Sequence, residues 1–248
     1  MLSRDEQIEE RGRSLVALVT RDLPKDFDAS QRWPAIGVAL LSRMTTTLSS
    51  ILDLQNRRLE TDAATLTRSL YEHAVHFAWI AADPSRERLN HWRKHDLLAR
   101  LKADDDARAH GMDMLRPERR AEFQAQFDAI DGAVPLNLAD LAIAADKRWG
   151  GRVRGMGRHT EALSFSGWYS LLYRSYSAVA HPSEMGLHRV TGELAVGRLR
   201  IDLEGPLSTR TGPYGIATFV FGVVLYIASD ALSWPDAELV SEVFDRTT

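Results

Sequence analysis

At 248 residues the chain is long enough to bury a substantial core without disulfides, and it contains no cysteine. That composition excludes thiol catalysis, Cys-ligated zinc and iron–sulfur clusters, and it fits a reducing compartment such as the cytoplasm. The formal charge of −3 excludes a globally basic nucleic-acid binder while leaving room for a local basic patch.

In chain order, most segments read as helix. Met1–Glu10 is polar and acidic where a secretory signal would be basic and then apolar. Ser3 and Glu6 form an S-x-x-E capping box ahead of a first helix to about Arg21, which Pro24 ends. A second helix starts near Trp33-Pro34 and places Leu41, Met44, Leu48 and Leu52 at core spacing. Thr61 or Asp62 is expected to cap a third to about Ala81, and Asp83-Pro84 to open a long charged fourth to about His110. Pro117 begins a short peripheral helix that Asp131-Gly132 ends, and Asn137 caps Leu138–Trp149. A Gly/Arg loop over Gly150–His159 is expected next, followed by one helix over 160–181.

Beyond Pro182 the period changes. Leu199, Ile201 and Leu203 alternate with charged residues, which points to a small β-hairpin near 187–204. The apolar run Ile216–Ala228 is shorter than the roughly 20 residues of a membrane span and reads as a core helix at about 213–232. The expected architecture is mainly α: a single bundle-like domain over 1–248 with core helices at about 33–55, 61–81, 160–181 and 213–232. The segment of about 84–131 is charged and peripheral, and no membrane contact is expected.

Two polar faces stand out. In Trp168–Pro182, at about 100° per residue, Ser170, Arg174, Ser177 and His181 share one stripe, opposite Trp168, Leu172 and Tyr176. Arg174 and His181 are two turns, roughly 10 Å, apart. On the third helix, Arg68 and Glu72 lie at i, i+4 in line with Val75 and Trp79 and pair with each other or face the Arg174/His181 stripe. His73 and His76, with Glu72, make no ferritin-like metal set, since the second Glu-x-x-His is missing. His91 and His95 lack the Glu of H-E-x-x-H, so no metal or other cofactor is expected. Arg152, Arg154 and Arg158 concentrate positive charge among glycines, a natural phosphate-binding combination.

The segment Arg174–His181 resembles the R-x(4–6)-H signature of the HEPN superfamily of small helical proteins, many of them bacterial toxin and defence ribonucleases. More broadly, Arg68 and Glu72 followed by Tyr176, Ser177, His181 and Pro182 are similar to bacterial families of unassigned function carrying R-x-x-x-E and Y-S-x-x-x-H-P. The resemblance implies metal-independent RNA cleavage with Arg174 and His181 as catalytic residues, Arg68, Glu72, Tyr176 and Ser177 in support, a homodimeric cleft, and an antitoxin or regulatory partner. A non-catalytic ligand-binding or regulatory protein using the same polar pocket is the alternative reading. A purely structural stripe, with His181 closing its helix against the dipole, is the third.

Overall fold

A computed structural model describes residues 3–24, 26–28, 31–83, 85, 87–132, 137–154, 164–180, 191–195, 198–201 and 212–245, with backbone alone at 152–154, 178–180, 191–195, 198–201 and 244–245. The protein is mainly helical. Helix α1 (Arg4–Asp22) is followed by α2 (Arg32–Asn56), α3 (Glu60–Ala81), α4 (Glu87–Ala109), α5 (Pro117–Asp128) and α6 (Leu138–Arg154). Then come α7 (Phe165–Trp168), a π turn (Tyr169–Tyr173) and α8 (Arg174–Ala180). Strands β1 (Thr191–Ala195) and β2 (Arg198–Ile201) run antiparallel with Thr191 opposite Ile201, and α9 (Pro213–Leu232) and α10 (Ala237–Asp245) follow.

Helix α3 is the axis of the fold, flanked by α2, α9, α6 and α8, while α1 lies across α2 and α9. Its Leu70, Ala74, Phe77 and Ala78 are buried against Met44, Leu48 and Ile51 of α2 and Val220, Phe221 and Val224 of α9. Both α2 and α9 are long and apolar enough to cross a membrane, yet 56% of each apolar window is buried inside the protein.

Local chemistry sets several boundaries. Glu6 N–H donates to Ser3 Oγ and Ser3 N–H to Glu6 Oε2, completing the capping box. Asp140 N–H donates to Asn137 Oδ1 at 3.1 Å, and Asp83 accepts from the Ser85 and Arg88 amides ahead of α4. Other boundaries differ from the sequence reading. Thr61 and Asp62 lie inside the first turn of α3, which starts after Leu59 without a side-chain cap. Helix α6 runs through Gly150 and Gly151 to Arg154, because buried Trp149 ties this turn to α3 by donating from Nε1 to the Ala78 carbonyl at 2.9 Å.

The α4–α5 pair carries its own small core of Leu97, Leu101 and Phe123. Asp104, 0% exposed, accepts from Arg108 Nε and the Leu115 amide, both at 2.8 Å, and from Arg120 Nη1 at 3.1 Å. Burial alone would raise its pKa. The hydrogen bonds from Arg108 and Leu115 and the charges of Arg108 and Arg120 outweigh burial and hold it below the ordinary value of 3.8. The stabilisation is therefore present above that value and lost as pH falls through the lower folded value. Asp104→Asn is expected to loosen the α4–α5 pair at pH 7, raising amide exchange there while leaving α3 and α9 protected.

Candidate functional site: an arginine–tyrosine cluster at a π turn

Helix α7 owes its start to two residues. Ser164 accepts from the Gly167 amide, and Asp146 on α6 accepts from the Phe165 and Ser166 amides at 2.8 and 2.9 Å and from Ser166 Oγ at 2.6 Å. Phe165 and Trp168 are buried, their rings edge to face at 5.6 Å, and Trp168 meets Phe219 of α9 in the same way. Eight residues after Trp168, Tyr176 is buried beside Ala64 and Ile216. Between these anchors the chain holds one residue more than an α-helix would, and the Arg174 amide donates to the Tyr169 carbonyl five residues back.

That extra residue breaks up the predicted stripe. Ser170 and Arg174 remain exposed, but Ser177 turns half inward and donates from Oγ to the Tyr173 carbonyl at 2.6 Å. Tyr173, rather than Arg174, is brought against Arg68. Arg68 Nη2 donates to Tyr173 Oη at 3.0 Å and pairs with Glu72 Oε1 at 3.2 Å, with its Cζ 4.8 Å from the Tyr173 ring centroid. Tyr169 stacks on Tyr173 at 5.1 Å, and Tyr71 lies at 6.0 Å from the same ring.

The electrostatics are fixed by this packing. Arg68, 24% exposed, is raised above its ordinary pKa by the Tyr173 hydrogen bond, with burial opposing and the Glu72 charge adding to it, so it stays a cation. Its Nε is buried with no hydrogen-bond partner among the described residues. Tyr71 donates to the Phe165 carbonyl at 2.6 Å, and burial, reinforced by the Asp146 charge, raises its pKa well above the ordinary value and keeps it neutral. A cation with one unpaired donor, set against the Tyr173 ring, has the chemistry to take a phosphate or another anion.

Of the residues expected from sequence, Arg68, Glu72, Tyr176 and Ser177 gather around this turn, and Arg174 is adjacent but exposed, with no side-chain hydrogen bond or ion pair among the described residues. His181 and Arg158 lie outside the described residues, as do Pro182, the side chains of Arg152 and Arg154, and parts of the 160–181 and 187–204 segments. Tyr71, Asp146, Tyr169 and Tyr173 went unread in the sequence, although the tyrosine spacing 169, 173, 176 was a visible signal. No group of three or more metal-ligating side chains occurs among the described residues.

Fold and cluster define a mainly helical protein with an arginine–tyrosine cluster at a helix irregularity. Residues 35–195, well over half of the chain, match the model of a family of unknown function, DUF5677, and the chain belongs to that family. The matched span runs from α2 into β1 and includes Arg68, Glu72 and Arg174; α1, α9 and α10 fall outside it. No curated protein and no solved structure matches the chain.

Proposed function

We propose that this protein is a HEPN-like, metal-independent endoribonuclease acting as a cytoplasmic toxin or defence component. The observation that supports this reading is Arg68, a constitutive cation with an unused buried donor, held by Tyr173 beside Arg174. In the proposed reaction His181 takes the proton from a ribose 2′-hydroxyl as its oxygen attacks the adjacent phosphate. The P–O5′ bond breaks and the 5′ oxygen leaves with a proton from a general acid, giving a 2′,3′-cyclic phosphate and a 5′-hydroxyl. Arg174 and Arg68 stabilise the charge that builds on the non-bridging oxygens, and Glu72 and Tyr173 orient Arg68. Arg152, Arg154 and Arg158 serve as a phosphate-binding patch for the RNA strand. A second copy completes the cleft, an antitoxin or other regulatory partner restrains it, and the 187–204 segment is a hairpin inserted at the end of the catalytic helix.

The test is incubation of the full chain with single-stranded RNA in EDTA, comparing wild type with His181→Ala and Arg174→Ala. Cleavage by wild type, loss in both variants and an unchanged melting temperature are the expected results. Cleavage that survives in His181→Ala overturns the assignment. The exposure of Arg174, with no side-chain hydrogen bond or ion pair among the described residues, favours a second reading in which the Arg68–Tyr173 pocket binds an anionic ligand without chemistry. Under it, RNA or phosphate stabilises the protein, no product forms, and Arg68→Ala removes the stabilisation.

A further inference from the structure

The proposed reaction needs a group that hands a proton to the leaving 5′ oxygen, and the hydroxyls around the π turn differ in whether they have a proton to spare. Tyr71 is 1% exposed and donates to the Phe165 carbonyl at 2.6 Å. Ser175 and Ser177 each donate to the backbone carbonyl four residues back, at 2.6 Å. Arg68 stays a cation, and Glu72, in its ion pair with Arg68, serves as an acceptor.

Tyr173 is placed differently. Its Oη is the acceptor in the 3.0 Å contact with Arg68 Nη2, so the phenol hydrogen is turned away from the guanidinium. That hydrogen has no acceptor among the described residues. The ring is held by Tyr169, stacked at 5.1 Å, and by Arg68, whose Cζ lies 4.8 Å from its centroid, which fixes where the oxygen sits. The cluster also meets solvent: Tyr173 is half-buried, and the Arg68 and Glu72 side chains are 24% and 35% exposed. Arg174, the residue assigned to the charge on the phosphate, is next in the chain.

We propose that Tyr173 is the general acid of RNA cleavage. The assignment rests on the ribonuclease reading and fills the one role in it that has no residue. As the P–O5′ bond breaks, its electron pair goes to the 5′ oxygen, which takes the proton of the Tyr173 phenol as that O–H bond breaks. The negative charge stays on Oη, where the Arg68 guanidinium already donates. After the product leaves, water returns a proton to Tyr173, and His181 gives up the proton it took from the 2′-hydroxyl, so the two transfers balance over the turnover.

The test compares two RNA substrates, one all-oxygen and one with sulfur replacing the bridging 5′ oxygen at the scissile phosphate, since a thiolate leaves without needing a proton. Both are incubated in EDTA with the full chain and with its Tyr173→Phe variant, which keeps the ring that packs on Tyr169 and Arg68. Wild type is expected to cleave both. Tyr173→Phe should cleave the all-oxygen RNA at least about a hundredfold more slowly than wild type, and the sulfur substrate at close to the wild-type rate. The two rates are compared within one protein, so a loss of folded molecules lowers both alike and cannot imitate this result. Equal slowing on the two substrates, or no slowing on either, overturns Tyr173 as the acid and leaves the ribonuclease reading standing. Failure of wild type to cleave either substrate overturns that reading and the role of Tyr173 with it.

Discussion

Trp149→Ala is expected to lower stability by about 3–5 kcal/mol, seen as a fall in melting temperature of about 10 °C. The indole is buried between α6 and α3, so the main loss is the void it leaves. The Ala78 carbonyl keeps a donor after the substitution, because the Ala82 amide also reaches it at 3.1 Å. The hydrogen bond is thus the smaller contribution. The guanidinium of Arg148, with Cζ 5.3 Å from the ring centroid, loses its aromatic partner at the same time. Since Asp146 on the same helix caps α7, loss of this anchor should also disturb the Arg68–Tyr173 contact. Trp149→Phe fills most of the space and should retain more than half of the stability difference, which denaturant melts of the two variants will resolve.

The second large effect is set by His76. Burial, aided by positive charge from His73 and His95, lowers its pKa from 6.5 to about 4, and its Nδ1 has no hydrogen-bond partner among the described residues. A histidine with a depressed folded pKa gives stability that is fully present above the unfolded value, near 6.5, and that is lost as pH falls towards 4. The whole step is about 3 kcal/mol, of which about 2 kcal/mol is already lost at pH 5. His76→Leu should therefore melt close to wild type at pH 7.5 and above it at pH 5. Parallel pH–stability curves for the two proteins would contradict this account of His76.

Features of the fold legible in the sequence were those written in neighbouring residues. Ser3 with Glu6 and Asn137 with Asp140 close short loops of chemistry that need no partner from elsewhere, and the hydropathy of α9 announces burial wherever it packs. What escaped depended on contacts between distant segments. Glycine propensity argued for a break at Gly150, but Trp149 gains more by staying helical against α3. Asp146 caps a helix that begins 19 positions later, a pairing that no local pattern displays. Arg68 and Glu72 were identified because i, i+4 spacing is local, whereas Tyr173 was missed because reading faces at 100° per residue presumes an unbroken α-helix. Trp168 and Tyr176 are both anchored in the core, and the span between them is one residue longer than that rule allows.

The π turn therefore corresponds in sequence to a length change, since a substitution alters neither the residue count nor the anchors. Leu171, 64% exposed, is the residue whose removal touches the core least. A chain shortened at that point could close Trp168 to Tyr176 as ordinary helix with both anchors in place, and the arginine of α3 would then face a different side chain. Evolution or an experimenter can thus exchange the partner of Arg68 by an insertion or deletion, with no change to any residue that touches it.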